Sequence, residues 1–498
     1  MKSFIQKNNL QMKNLSMLLC FGFCVFTMQN SISQKKSTKQ NVIVIMTDDM
    51  GYNDVGFNGS TEIPTPNIDR IANNGVKFTN GYTSYAVCGP SRAGFMTGRY
   101  GQRFGFERNP QYRADDPNMG LPKTEKTIAE HLKTVGYTSG IIGKWHLGTH
   151  KSNHPLNRGF DEFFGHLGGG HQYFPENLVI KDSYFSDDYI QIPSEEKGKK
   201  PWKGSAEIAS YRTWIMRNHE AVKTSKYLTE EFSDEAVNFV ERNQKESFFL
   251  FLSFNAPHAP MQATQKYLDR FPNIENKKRQ TYAAMVSAVD DGVGQVLDKL
   301  RELNLEENTI VFFLSDNGGP ESKNGSNNGL LREGKGSIYE GGFRVPFAMQ
   351  WKGELKKGVY NNPVSSLDIL GTIANLSQVK IDKDKPLDGI NLIPFIKGKK
   401  KGIPHQNIFI RKYDQKLFSV RDRHLKLVVK NNGKIKELYN LNKDISESNN
   451  IASTHNKDVQ RLYKILNKWE SELIDPTFLG LIHTKSWINK PKKKKNKI

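Results

Sequence analysis

Apolar and polar positions along the 498-residue chain fall into a few long patterns, each of which predicts an element. Residues 41–46, 247–254 and 309–314 are continuous apolar runs rich in β-branched and aromatic side chains. Short runs of this kind, without alternation, mark strands buried on both faces of a parallel sheet. Each run stops abruptly in polar residues: Thr47-Asp48-Asp49, Asn255-Ala256-Pro257-His258 and Ser315-Asp316-Asn317-Gly318-Gly319. Between the runs, apolar residues at three-to-four spacing predict helices over 127–135, 232–243 and 282–303. Alternating strands and helices predict a doubly wound α/β layer structure. Such sheets place their ligand crevice beyond the carboxyl ends of the strands, so these polar residues, distant in sequence, are expected to meet there.

Near residue 400 the texture changes. Short alternating runs at 407–411, 417–421, 425–430 and 437–441 are separated by turn residues such as Asn431-Asn432-Gly433, and a helical pattern covers 457–473. This predicts a small antiparallel sheet with one helix, packed on the larger domain. The polar stretch 183–204 reads as an insertion near a substrate entrance. At the N-terminus, Lys2, Lys7 and Lys13 precede an apolar run over 15–26, then Ser31 and Ser33 flank Ile32. That is the layout of a cleavable export signal, and it predicts a periplasmic or secreted product without stable membrane insertion. Leu19 and Phe23, which precede Cys20 and Cys24, are not the small residues of a lipid-anchor site. The expected organisation is a leader over 1–33, a catalytic domain over 34–400, a C-terminal subdomain over 401–480 and a basic tail over 481–498.

Composition narrows the class. Apolar content of 37% with 25% charged residues fits a soluble globular enzyme. The formal net charge is +20, and six lysines between 490 and 497 form a tail that reads as solvated. The basic body would still steer polyanions toward it. No nucleic-acid-reading motif is present, so nucleic acid is not an expected partner, and a sulfated polysaccharide suits an exported protein better. A glycine-rich stretch at 329–336 nearly fits a nucleotide-binding loop, but Gly336 stands where a metal-binding Ser or Thr is required.

Removal of the leader leaves one cysteine, Cys88, in the run Cys88-Gly89-Pro90-Ser91-Arg92-Ala93-Gly94-Phe95-Met96-Thr97-Gly98-Arg99. Proline and glycines fix a turn before an apolar stretch, and Arg92 lies one helical turn beyond the sulfur, where it can stabilise negative charge. Asp48, Asp49, Asp316 and Asn317 supply hard oxygen ligands from two strand ends. Three converging carboxylates repel one another without a cation, and oxygen ligands favour calcium or magnesium over zinc. In Gly136 to Gly148, Lys144 and His146 are expected on one side of an extended segment. His258 stands between two prolines, and Lys335 lies in Gly334-Lys335-Gly336-Ser337.

The Cys88 run resembles the signature of the formylglycine-dependent sulfatases, and the Asp48-Asp49, Lys144–His146, His258, Asp316-Asn317 and Lys335 motifs are similar to that family's others, in family order. The resemblance implies an alkaline phosphatase-like fold: a large mixed, mostly parallel sheet sandwiched by helices, with a smaller C-terminal α+β subdomain. It implies a calcium ion held by Asp48, Asp49, Asp316, Asn317 and residue 88. It further implies that a maturation enzyme oxidises Cys88 to formylglycine, whose hydrated form attacks sulfur with help from Arg92. Lys144, Lys335 and His258 would balance charge, His258 would protonate the leaving oxygen, and His146 would act as base. The implied activity is sulfate ester hydrolysis on a sulfated polysaccharide or oligosaccharide, with algal ulvan or carrageenan favoured. His171, in the glycine-rich loop 159–174, and Arg103 are the expected substrate-binding residues. The alternatives are a phosphomonoester or phosphonate ester hydrolase on the same scaffold, and a non-catalytic polyanion-binding protein.

Overall fold

A computed structural model of the chain describes residues 39–175 and 215–481. The leader, the stretch 183–204 and the tail beyond residue 481 lie outside the described residues. In chain order the strands are β1 (Asn41–Thr47), β2 (Gly75–Phe78), β3 (Gly81–Tyr82), β4 (Thr138–Lys144), β5 (Glu162–His166), β6 (Ile215–Arg217), β7 (Glu220–Val222) and β8 (Phe248–Ser253). They continue as β9 (Thr309–Ser315), β10 (Phe347–Trp351), β11 (Gly358–Tyr360), β12 (Val364–Ser365), β13 (Asn407–Lys412), β14 (Leu417–Asp422), β15 (Leu425–Lys430) and β16 (Ile435–Asn440). The helices that matter most are α1 (Cys88–Thr97), α2 (Leu228–Arg242), α3 (Lys277–Glu302), α4 (Asp368–Leu376) and α5 (Asn456–Ser471).

Ten strands form one sheet in the order β11-β2-β10-β9-β1-β8-β4-β5-β6-β7. The run from β9 through β1, β8 and β4 to β5 is parallel. The antiparallel pairings are those of β10 with β9 and β2, and those of β6 with β5 and β7. The sheet is therefore mixed and mostly parallel, as expected. The central strands are apolar throughout because both faces are covered. Ile43 and Ile45 of β1 join the core that includes Tyr282, Val286 and Val293 of α3, while Val42, Val44 and Met46 join the opposite core with Phe95 of α1 and Ile369 of α4. Strands β8 and β9 divide their side chains in the same alternating way. Each fully buried side chain of this kind contributes about 1.5–3 kcal/mol. Phe251 of β8 packs 4.9 Å from Phe95, so the core directly seats the helix that begins at Cys88.

The predicted helices are present with shifted ends. α3 starts at Lys277 because Asn276 caps it, its side chain accepting from the Arg279 N–H at 3.1 Å. The second small sheet is four-stranded and antiparallel, β13-β14-β15-β16. Asn431, Asn432 and Gly433, all at positive φ, turn β15 into β16. One face of this sheet takes Leu462, Leu466 and Trp469 of α5. The other face packs Ile408, Ile410 and Val428 against Tyr82, Ile338 and Phe343 of the large domain. Among the described residues, no helix is long and apolar enough to cross a membrane.

Candidate active site

The carboxyl ends of four adjacent parallel strands, β9, β1, β8 and β4, deliver the polar residues to one place. Asp48 and Asp49 follow β1, Asp316 and Asn317 follow β9, Lys144 ends β4, and Asn255 and His258 follow β8. Gly143 lets β4 come this close to β8, because a Cβ on it would sit 1.9 Å from the Ser253 carbonyl oxygen. Helix α1 points its N-terminus at the same spot and begins with Cys88, which favours negative charge there. Cys88 Sγ lies 3.4 Å from Asp48 Oδ1 and 3.1 Å from Lys335 Nζ. One atom each from Asp48, Asp49, Cys88 and His258 fall within 4.8 Å of one another.

Every carboxylate in the cluster has a cation. Lys144 pairs with Asp48, Lys335 lies 2.6 Å from Asp49 Oδ1, and Arg92 Nε donates to Asp316 Oδ2 at 2.8 Å. Arg92 is fully buried, and its Nη1 also donates to the Lys144 carbonyl at 3.1 Å and to Ser253 Oγ at 2.6 Å. Burial alone would raise the Asp48 carboxyl, but Lys144, His258 and Arg92 hold it below the usual range, so it stays ionised. Burial, helped by Asp48, pushes the Cys88 thiol up to about 12. As encoded, residue 88 is therefore a protonated thiol at neutral pH rather than a nucleophile.

Several buried polar atoms on residues of the cluster and beside it have no hydrogen-bond partner. Among the described residues these include Asn317 Oδ1, Arg92 Nη2, both side-chain atoms of Asn255 and both ring nitrogens of His146. Asn317 donates its amide to Asp49 at 2.7 Å, which leaves that oxygen as an acceptor. An oxygen donor set of Asp48, Asp49, Asp316 and Asn317 fits a hard divalent cation, and calcium-type chemistry suits it better than zinc.

Ten predicted residues thus come together: Asp48, Asp49, Cys88, Arg92, Lys144, His146, His258, Asp316, Asn317 and Lys335. Two geometric expectations need correction. His146 does not share a face of an extended segment with Lys144: β4 has ended, and the His146 backbone turns into the left-handed region at φ 61°. That turn sends the ring under the loop 168–170, where a Cβ on Gly169 would meet His146 Nε2 at 2.5 Å. Arg103 does not join the site. Its Nε donates to Asp388 at 2.8 Å and its Nη1 to Glu472 at 3.0 Å, so it braces the chain toward the segment after α5. His171 lies on the loop that covers the site, with Nδ1 2.6 Å from the Gln172 carbonyl oxygen and its ring 5.2 Å from that of His166.

Sequence reading named Asn255 only as part of a polar strand end and gave no role to Ser253, His166 and Tyr112. Ser253 braces Arg92, and Tyr112 accepts from the Gly169 N–H at 3.0 Å. His166 ends β5 beside Lys144 and is fully buried. Ser253, Asn255 and His166 sit at strand carboxyl ends, the signal that found the others; Tyr112 sits in a loop and carries no such signal.

A crevice at parallel strand ends with paired carboxylates and cations and a cysteine at a helix start can hold an anionic group. The family profile described as Sulfatase matches residues 40–379, and one described as N-sulphoglucosamine sulphohydrolase, C-terminal, matches residues 334–473. The chain belongs to the sulfatase family, type I sulfuric ester hydrolases of the alkaline phosphatase-like superfamily. Uncharacterized sulfatase YdeN of Escherichia coli (strain K12) is 32% identical over 412 residues, covering 74% of this chain and 68% of that protein. Human N-acetylgalactosamine-6-sulfatase is 34% identical over 374 residues, covering 71% of this chain and 65% of its own length. The crystal structure of Ps i-CgsB in complex with k-i-k-neocarrahexaose superimposes with a TM-score of 0.79 at 39% identity, covering 89% of this chain and 95% of that one.

Proposed function

We propose that this sulfatase is exported and desulfates a sulfated algal galactan of the carrageenan type, using a formylglycine made from Cys88 and a calcium ion. Support for the saccharide comes from the 39% identity to a structure that holds k-i-k-neocarrahexaose. Export rests on the charged and apolar pattern of residues 1–33. The observation that carries the chemistry is the placement of Cys88 Sγ 3.4 Å from Asp48 and 3.1 Å from Lys335, at the N-terminus of a buried helix. A formylglycine at residue 88 would supply an oxygen nucleophile in place of the thiol, and a calcium ion, which Asp48, Asp49, Asp316 and Asn317 would hold, would add positive charge there.

The chain's own residues do the rest. Lys144, paired with Asp48, and Lys335, paired with Asp49, are the cations that would hold the sulfate oxygens. Arg92 is fixed by Asp316, Ser253 and the Lys144 carbonyl, so it stabilises charge at residue 88 without reorganising. His258 Nδ1 lies 2.6 Å from the Ala259 carbonyl, which fixes that nitrogen as the protonated one. Its Nε2, 3.7 Å from Asp49, therefore faces the cluster as the unprotonated nitrogen of the neutral ring that burial favours, and it would have to take up a proton before passing one to the leaving sugar oxygen. His146 has neither ring nitrogen engaged and serves as the base. The test is desulfation of defined carrageenan, ulvan and glycosaminoglycan oligosaccharides, with an aryl phosphate as control. Release of sulfate from carrageenan fragments above the others supports the reading, and faster turnover of the phosphate overturns it.

A further inference from the structure

Lys335 stands on a segment that the C-terminal sheet holds from outside. Lys412, the last residue of β13, donates Nζ to the carbonyl oxygen of Gly336, the residue next to Lys335. Ser419 of β14 donates to the Ile338 carbonyl at 3.3 Å. Arg332 donates to the Glu447 carbonyl at 2.7 Å, and its guanidinium lies 3.8 Å from the centre of the Tyr339 ring. Tyr339 in turn donates its hydroxyl to Glu437 at 2.5 Å, and the Glu340 N–H donates to Glu447 at 2.6 Å. The large domain adds bonds from Gly336 N to the Ala86 carbonyl at 2.7 Å and from Lys335 N to the Gly319 carbonyl at 3.4 Å.

Gly336 is the weak point of this segment. Its φ is +85°, and a Cβ there would meet nothing nearer than Val87 at 4.0 Å, so the segment is held by hydrogen bonds: Ser337 N donates to the Gly334 carbonyl at 2.9 Å, and the bond from Lys412 to the Gly336 carbonyl is the contribution of the C-terminal sheet. The family profile for the C-terminal region begins at residue 334, so the lysine segment and the sheet are matched as one stretch.

We propose that the C-terminal sheet is part of the catalytic machinery, with Lys412 as a positioning residue that sets where the Lys335 ammonium stands over residue 88. This rests on the reading that Lys335 holds the sulfate group. A merely structural Lys412 would support folding and leave anion binding alone. The two roles separate in the full-length protein by calorimetric binding of inorganic sulfate, by KM and kcat on an aryl sulfate, and by the thermal midpoint. Lys412→Met is expected to weaken sulfate binding about tenfold, the scale on which supporting partners of a site act. KM should rise in step, with kcat less affected and the midpoint little moved, and Lys412→Arg should restore binding. Sulfate binding equal to the parent in a folded Lys412→Met protein overturns the proposal. So does a loss that Lys412→Arg does not recover and that follows the midpoint. Should Lys412→Met not fold, Tyr339→Phe, which frees the same segment from Glu437, is read by the same criteria. Lys335→Ala separates the two levels. If it binds sulfate as the parent does, the reading of Lys335 fails and the proposal falls with it; if it alone weakens binding, only the Lys412 proposal fails.

Discussion

Replacing Arg92 with methionine is the perturbation whose size the structure sets most sharply. Methionine keeps an unbranched apolar stem of similar reach but removes a charge that is 1% exposed, opposite an Asp316 carboxylate that is 0% exposed. It also removes the bonds to Ser253 at 2.6 Å and to the Lys144 carbonyl at 3.1 Å. Breaking a buried pair from one side costs about 3–5 kcal/mol, because the other charge is left uncompensated in a low dielectric. Asp316 is also a proposed calcium ligand, so the loss should be largest in chelator. There the variant has neither guanidinium nor metal to offset Asp316, whereas calcium at a hundred times a protein's Kd adds about 2.7 kcal/mol, and the gap from the parent narrows by as much as the variant, freed of the guanidinium's repulsion, binds it more tightly. Urea unfolding of parent, Arg92→Met and Arg92→Met/Asp316→Asn, each with chelator and with calcium, reads these contributions. The double variant should recover much of the chelator-state loss, since it deletes the stranded charge. A single variant that loses under about 1 kcal/mol in chelator, well below the cost of a broken buried pair, would falsify the buried-pair argument. A double variant no more stable than the single one would do the same.

Gly169→Ala places a methyl 2.5 Å from His146 Nε2 and 2.9 Å from the Tyr112 hydroxyl, so the imidazole must move. Turnover is expected to fall about a hundredfold with the thermal midpoint close to the parent's, since displacement of a reacting group by about 1 Å has that effect; undiminished kcat would remove His146 from the mechanism. His405 Nε2 lies 2.7 Å from Asp368 at the join of the two sheets, and although burial opposes its charge, Asp368 raises its pKa above the ordinary value. A raised histidine contributes stability that is complete below its unfolded pKa of about 6.5 and is lost as pH rises through the folded value. Unfolding midpoints measured between about pH 6 and 9 should therefore decline more steeply in the parent than in His405→Gln, and parallel curves would contradict the assignment.

How far the sequence could be read depended on how local each signal was. Strands β1, β8 and β9 were legible because burial on both faces makes every position apolar, and the polar residues after them marked the crevice. Short strands such as β2, β6 and β11 carry no such run, and β10 joins antiparallel, which alternation of strand and helix does not reveal. Asp48, Asp49, Lys144, His258, Asp316 and Asn317 lie in compact motifs at strand ends, and Cys88, Arg92, His146 and Lys335 in motifs that resemble those of the family, so all ten could be named before their geometry was known. Arg103 could not be judged in the same way, because its carboxylate partners Asp388 and Glu472 lie 285 and 369 residues away. The left-handed turn at His146, φ 61°, was hidden for a related reason: the residues beside it carry no signal for it. Likewise Lys412 gives no local sign of its contact with Gly336, since that contact joins β13 to a loop 76 residues earlier in the chain.

The central claim is that residue 88 works as an oxygen nucleophile rather than as the buried thiol that the gene encodes. Mass spectrometry of the peptide spanning position 88, run on fractions of graded sulfatase activity, tests it most directly. Specific activity should rise in proportion to the fraction carrying the aldehyde and extrapolate to nearly zero for the thiol form, with Cys88→Ala inactive. Full activity in material whose residue 88 is entirely cysteine would contradict the account.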